Sequence, residues 1–154
     1  MKIIVTYGTG TGKTELSAFD NALFNAGIAN CNLIKLSSII PKNSNIKVEK
    51  FNKKFNFGDK LYVVMAGYST SIKGKEVYSG LGWIQDKDKK GIFVEHHGNN
   101  RGEVKQLIED SLNSMIKYRK EKFGDIKNKI IGIRCKDGPV CSLVCAVYKI
   151  EGWR

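Results

Sequence analysis

The sequence predicts an α+β fold, a layered αββα sandwich with a mainly antiparallel sheet core. Two amphipathic helical segments lie far apart in the chain, and the segments between and after them have the apolar, β-branched composition of strands. Most of these strands follow one another through short connections rich in Gly, Ser, Asp and Lys, which is typical of antiparallel pairing. The regular alternation of strand and helix that builds a parallel sheet is missing.

The first third of the chain predicts a strand, a glycine-rich turn, a helix and a second strand. Lys2–Tyr7 is apolar and β-branched, and the run GTGTG at residues 8–12 is expected to end this strand. A helical pattern of apolar residues starts after Thr14, the predicted N-cap, and Gly27 is the predicted stop. Asn32–Ile40 has the pattern of a strand that a proline terminates.

The rest of the chain predicts five strands and one more helix. The strands are expected at Lys60–Tyr68, Glu76–Ile84, Gly91–His97, Lys129–Cys135 and Val140–Ile150. A period of three to four residues predicts a helix over Glu103–Phe123. Residues 42–59 are polar and show no clear period, so we expect a long connection with one short strand near Ile46–Val48.

Length and composition limit the class of protein. With 154 residues, 42% of them hydrophobic and only two Pro, the chain is expected to form one globular domain over residues 1–154. Its apolar runs are far shorter than the roughly 20 residues that cross a bilayer, and the N-terminus lacks a signal-peptide pattern, so no membrane association is expected. The four Cys lack C-x-x-C spacing, and we interpret them as buried, reduced thiols of a cytoplasmic protein.

The formal net charge of +11 raises nucleic acid as a partner, because clustered Lys and Arg neutralise phosphates. The lysines are spread over loops and one helix rather than gathered in one patch with interleaved aromatic residues. A solvated, Lys-rich surface is therefore the preferred interpretation, and no nucleic-acid partner is expected. A basic nucleic-acid-binding domain stays open as an alternative.

The stretch GTGTGKT at residues 8–14 resembles a phosphate-binding loop but is one residue too short. That loop needs G-x-x-x-x-G-K-[ST], so that successive backbone N–H groups surround a phosphate. Counting back five positions from Gly12 reaches Tyr7, not a glycine. We therefore interpret the glycines as a flexible turn between strand and helix. A nucleotide-binding protein that uses the Gly8–Thr14 loop stays open as an alternative.

Two further patterns suggest metal ligands at first sight. His96 and His97 are adjacent, so on a strand their side chains point to opposite faces and cannot chelate one ion together. We expect them at the surface or in a supporting position near a site. Cys141 and Cys145 share a strand face without acidic or His partners nearby and are interpreted as core residues. No metal site is expected.

Three segments carry a family resemblance. Leu16–Leu23 reads LSAFDNAL, Ala26–Pro41 reads AGIANCNLIKLSSIIP, and Gly91–Glu95 reads GIFVE. In this order they resemble the pyruvoyl-dependent arginine decarboxylases, whose hallmarks are L-x-A-F-D-x-A-L and A-G-I-x-N-x-N-L-I-x-x-S-S-I-x-P. The resemblance covers nearly the whole chain. One departure is Lys42, which stands where a second Pro commonly follows in the family.

The resemblance implies that the chain cuts itself between Ser37 and Ser38. The Ser38 hydroxyl would attack the carbonyl of Ser37, and β-elimination would then split the ester. The products would be a β chain of residues 1–37 and an α chain of residues 38–154, whose first residue has become a pyruvoyl group. Because the reaction needs a hydroxyl or thiol at position 38, Ser38 is the indispensable member of the pair.

The resemblance also implies roles for four other residues. The pyruvoyl group from Ser38 would form a Schiff base with the substrate amine and accept electrons as CO2 leaves. Glu95 would return a proton to the α-carbon, and Asn32, six residues before Ser38 on the same face of an extended strand, would assist self-cleavage. Asp20 would bind the substrate guanidinium and Leu16 would line the aliphatic part of the pocket.

The implied function is conversion of L-arginine to agmatine and CO2, in polyamine synthesis or acid resistance. Family members assemble as trimers, so a homotrimer or a dimer of trimers with active sites at subunit interfaces is expected. Since one Asp does not exclude other cationic substrates, a decarboxylase of a related amino acid stays open as an alternative.

Overall fold

A computed structural model describes residues 1–154 and contains nine strands, two α-helices and one 3₁₀ turn. The strands are β1 Lys2–Thr11, β2 Asn32–Lys35, β3 Ile39–Ile40, β4 Asn45–Val48, β5 Lys60–Thr70, β6 Glu76–Gln85, β7 Gly91–Gly98, β8 Lys127–Arg134 and β9 Val140–Glu151. The helices are α1 Glu15–Ala26 and α2 Arg101–Met115, and the 3₁₀ turn covers Ile116–Tyr118. Neither α-helix has the length and apolar character that crossing a membrane requires.

The strands form two stacked sheets. Sheet A has the order β2-β5-β9-β1-β4, and sheet B has the order β3-β7-β6-β8. All pairs are antiparallel except β1 with β4 and β2 with β5. Helix α1 packs on the outer face of sheet A and α2 packs on the outer face of sheet B. The predicted αββα sandwich with a mainly antiparallel core is therefore confirmed.

Alternation along the strands divides the core into three apolar layers. The layer between the sheets is built from inward-facing residues of both, among them Val5, Val64, Leu81, Phe93 and Val144. Outside sheet A, the small residues of α1 pack against β1, β5 and β9, and outside sheet B, α2 packs against β6, β7 and β8. Each helix buries one apolar stripe, as its sequence period predicts.

The expected turn at GTGTG is wrong, because β1 continues through these glycines to Thr11. Gly8 and Gly10 pair with Leu143 and Cys141 of β9 in the interior of sheet A. A Cβ at Gly10 would lie only 2.2 Å from the carbonyl oxygen of Ala18 on α1, so the missing side chain lets the helix approach the strand backbone. These glycines therefore serve helix packing and do not form a phosphate loop.

The expected continuous strand over Asn32–Ile40 is also wrong. It splits into β2, which belongs to sheet A, and the two-residue β3, which belongs to sheet B. The break occurs because Ser38 adopts φ +70°, a left-handed conformation that cannot continue a strand. The chain thus crosses from one sheet to the other at residues 36–38, and we call this segment the crossing.

The remaining predictions differ mainly at element ends. Thr14 caps α1 in a capping box with Ser17, and Gly27 ends the helix at φ +82°, both as predicted. Helix α2 begins after the cap Asn100 and ends eight residues earlier than predicted, at Met115. The chain tightens there into the 3₁₀ turn, and Phe123 instead pairs with Asp86 in an isolated β-bridge.

Replacing Gly10 by Ala should destabilise the fold. The new methyl group would meet main-chain atoms of α1, Ala18 O at 2.2 Å and Ala22 N at 2.3 Å, which can move only with the whole helix. We expect a loss of about 2–3 kcal/mol in the free energy of unfolding, measured by urea denaturation. Gly67→Ala is the matched control, because its nearest heavy atom, Leu143 Cδ1, is 3.6 Å away. Equal losses in the two variants would contradict the packing argument.

Candidate active site

A cavity of about 510 Å³ opens at the edge of the sandwich beside the crossing. Strand β2 pairs with β5 only over Lys60–Val63, so the rest of β5 is left at the free edge of sheet A. Residues from α1, β5 and β7 line the cavity, among them Glu15, Phe19, Met65, Tyr68, Glu95 and His97. The cavity therefore draws side chains from both sheets and from the first helix.

The crossing is held by main-chain hydrogen bonds at both ends. On the sheet A side, Leu36 N donates to Val63 O at 2.8 Å, and on the sheet B side, Phe93 N donates to Ser38 O at 2.8 Å. The Ser37–Ser38 peptide bond lies between these two anchors. Ser38 is held at φ +70°, a conformation that costs an L-residue about 1–2 kcal/mol.

The side chain of Ser38 reaches the cavity wall. Its hydroxyl donates a hydrogen bond to Oε1 of Glu95, and both side chains are half-buried. The structure thus brings together the two residues that the sequence analysis placed at the centre of the chemistry, although they are 57 positions apart. A carboxylate in contact with this hydroxyl can accept its proton.

Tyr148 is a residue of this site that the sequence analysis missed. Its phenol donates a hydrogen bond of 2.9 Å to the main-chain carbonyl of Ile39, the residue directly after Ser38. Burial raises the pKa of Tyr148, and the charge of Glu95 raises it further, so the phenol stays protonated and remains a donor. It lies in an apolar strand whose pattern indicates only core, and no sequence signal distinguishes it.

The two adjacent histidines point to opposite faces of β7, as predicted. The Nε2 atom of His96 lies 2.6 Å from the hydroxyl of Ser111 on α2, and burial lowers the pKa of His96. The ring of His97 instead packs against Tyr68 at the cavity, with 4.4 Å between the ring centroids and 44° between the ring planes.

Three other predicted site residues lie outside the cavity. Helix α1 buries its alanine face, so Leu16, with 77% of its side chain exposed, and Asp20 face solvent. Asn32 is exposed on β2 and its amide donates to the carbonyl of Gly58 at 2.8 Å. The expectation that Asn32 and Ser38 share one face of a continuous strand is wrong, because the crossing separates them.

The thiols and the remaining ionisable groups form no metal cluster. None of the four cysteines is paired, and burial raises the pKa of Cys141, which lines the cavity. Burial also raises the pKa of Cys31 to about 11, so that thiol stays protonated at neutral pH. No group of three or more His, Cys, Asp or Glu side chains is placed to bind an ion.

Comparison with known proteins identifies the family of this chain. The family model described as pyruvoyl-dependent arginine decarboxylase matches residues 2–148. The chain belongs to that family. Curated relatives named pyruvoyl-dependent arginine decarboxylase include one from Thermococcus sibiricus and one from Pyrococcus abyssi, each 30% identical over 95% of this chain and 93% of the relative. Another, from Picrophilus torridus, is 36% identical over 71% of this chain and 63% of the relative.

The resemblance stated from the three sequence segments is thereby confirmed. A pyruvoyl-dependent enzyme needs a residue that yields the pyruvoyl group. Family membership therefore makes the contact between Ser38 and Glu95 the place to look for that residue. The residues present suit such a group. The Ser38 hydroxyl is held beside a carboxylate, and its main chain is anchored on β7.

Protonation of His96 should weaken the fold. Burial lowers the pKa of His96 below its ordinary value near 6.5, so the unfolded chain binds this proton more readily than the folded one. The contribution of neutral His96 to the free energy of unfolding is therefore fully present above about pH 7, and it is lost as the pH falls through 6.5 towards the folded-state pKa. His96→Gln should remove this part of the pH dependence, measured by urea unfolding at about pH 7.5 and 5.5. An unchanged pH dependence in the variant would contradict the assignment.

Proposed function

We propose that this protein is a self-processing, pyruvoyl-dependent decarboxylase that converts L-arginine to agmatine and CO2. The observation that carries the proposal is the contact of Ser38 with Glu95, in a chain of this family, at a serine with a left-handed main chain. The agmatine would be used in polyamine synthesis or acid resistance.

The first step is cleavage at Ser37–Ser38. The Ser38 Oγ atom, oriented by its hydrogen bond to Glu95, attacks the carbonyl carbon of Ser37, its proton passes to the nitrogen of residue 38, and the C–N bond breaks to leave an ester and a free amine. Elimination removes the Cα proton of residue 38 and breaks the Cβ–Oγ bond, which releases residues 1–37 with a terminal carboxylate and leaves a dehydroalanine that tautomerises to an imine. Water then replaces the amino group of residue 38, which leaves as ammonia. These reactions would release the strain of the left-handed main chain at Ser38, which favours them.

The second step is decarboxylation at residue 38 of the shortened chain. The pyruvoyl group would supply the chemistry of a Schiff base and electron sink. Glu95, which contacts position 38 in the uncut chain, is placed to donate a proton to the substrate α-carbon after CO2 leaves. The hydrogen bond from Tyr148 to Ile39 O would keep the new chain end against the sandwich after the cut.

Substrate recognition is proposed to need a second copy of the chain. Asp20 suits a planar guanidinium, since a carboxylate can accept two parallel N–H bonds, and Leu16 suits the methylene chain. Both are exposed and lie outside the cavity of their own protomer, as does Asn32. A homotrimer or a dimer of trimers with sites at subunit interfaces would let these side chains serve the cavity of a neighbour.

Local acids must also offset the long-range charge. A cationic substrate approaches a protein of formal net charge +11, so the surrounding field opposes binding. Glu15 and Glu95 line the cavity, and Asp20 would add a third carboxylate from a neighbouring chain. A decarboxylase of another cationic amino acid remains the alternative, and assays with lysine and ornithine separate the two.

Ser38→Ala and Glu95→Gln should separate the two steps. Ser38→Ala removes the nucleophile, so intact mass should show one uncut chain, whereas the wild type should show fragments of residues 1–37 and 38–154. Glu95→Gln can still accept the Ser38 hydrogen bond through its amide oxygen, so cleavage should continue. It cannot donate a carboxyl proton, and CO2 release from arginine should fall by about 10²–10⁴-fold. A cut, fully active Ser38→Ala chain would refute the proposal.

Sharing of residues between subunits can be tested by mixing two inactive variants. Asp20→Ala chains and Glu95→Gln chains should each assemble alone without activity. If the site joins Asp20 of one chain to Glu95 of another, random mixed assemblies should regain about a quarter of the wild-type sites. The measurement is arginine decarboxylation after co-expression, with the oligomer mass checked by light scattering. No recovery in assemblies shown to be mixed would place both residues in one subunit.

A further inference from the structure

His97 lies on the same face of β7 as Glu95. All three residues Glu95, His96 and His97 border the cavity, but alternation along β7 turns the His96 ring towards α2, where its Nε2 atom lies 2.6 Å from the Ser111 hydroxyl. Residues two apart on one strand face are separated by roughly 6.6 Å along the strand. One bridging water or a modest side-chain movement would therefore connect the imidazole with the Glu95 carboxyl.

The ring of His97 is held in place but remains open to solvent. It packs against the tilted ring of Tyr68 with 4.4 Å between centroids, and Lys75 Nζ donates to the Tyr68 hydroxyl at 3.3 Å. His97 is exposed, whereas Glu95 is half-buried behind its contact with Ser38. The imidazole is therefore more accessible to bulk water than the carboxyl is.

The other ionisable groups around the cavity are less suited to exchange protons near neutral pH. Tyr68, Lys35 and Lys75 carry a phenol and two ammonium groups, which as chemical classes are weaker acids than an imidazolium. Burial raises the pKa of Cys141, and Glu15 accepts a hydrogen bond from Ser71 at 3.0 Å. Imidazole is the side chain that gains and loses a proton within the physiological range.

We propose that His97 returns a proton from solvent to Glu95 after each turnover, an inference that rests on the proposed function. As CO2 leaves, its bonding electron pair stays on the substrate, and Glu95 donates its proton to the α-carbon. The resulting carboxylate takes a proton from the His97 imidazolium, and the neutral imidazole takes one from water. The sum is one solvent proton consumed for each arginine converted to agmatine and CO2. His97 thus acts through Glu95 and does not need to touch the substrate.

The adjacent histidine provides the matched control. His97→Gln and His96→Gln make the same chemical change on opposite faces of one strand, and both should be cut into residues 1–37 and 38–154. At about pH 7.5, His97→Gln should lower kcat for arginine by about 10- to 100-fold and leave KM within about threefold, whereas His96→Gln should resemble the wild type. Added imidazole should restore kcat in His97→Ala, which leaves room for it.

The pH profile tests the relay itself. Because the imidazolium is the donor, wild-type kcat should decline with rising pH, and His97→Gln should lack this decline. Matching kcat values and pH profiles in His97→Gln and His96→Gln would overturn the inference. So would a low kcat in the His97 variants that neither imidazole nor pH alters, since that indicates packing on Tyr68 alone. A wild-type chain that is never cut, or is cut and inactive on arginine, would instead refute the proposed function, and the relay with it.

Discussion

The candidate site depends on the main-chain hydrogen bond from Phe93 to the carbonyl of Ser38. This bond joins the crossing to sheet B, while Leu36 keeps it joined to sheet A through Val63. Between two fixed ends the chain has little freedom, and Ser38 is held in a conformation that serine otherwise avoids. The same anchor brings the Ser38 hydroxyl to Glu95. One pairing therefore sets the main-chain conformation, the position of the nucleophile and its contact with an acid.

The close contact of α1 with β1 supports the opposite side of the cavity. Gly8 and Gly10 let the alanine face of the helix approach the strand backbone, which turns Leu16 and Asp20 towards solvent and Phe19 towards the cavity. The glycine run thus affects function through the position of a helix. A motif that resembles a phosphate loop is here a packing device, and its Lys13 is an exposed residue.

Local sequence signals predicted much of this structure. Periodicity and capping residues predicted both helices and the layered sandwich, and the family resemblance implied that Ser38 and Glu95 serve one site, where the structure shows them in contact. Local signals could not predict which segments pair when they are far apart in the sequence. The split of Asn32–Ile40 follows from where β7 offers hydrogen bonds, and the roles proposed for Tyr148 and His97 rest on contacts with residues distant in sequence. No periodicity contains that information, because a strand pattern reports burial and not the identity of the facing residue.

The position of the crossing within the sheet order affects how such an enzyme could lose its fold. Residues 1–37 supply β1, α1 and β2, and β1 lies inside sheet A between β4 and β9. A cut at Ser38 would leave this segment non-covalently embedded, so the processed protein would stay whole while folded. Once unfolded, its two pieces would have to meet again by diffusion, and recovery would depend on concentration. The uncut chain, by contrast, can refold as a single molecule. After the cut, the lifetime of the folded protein would be set by how slowly it unfolds and no longer by reversible folding.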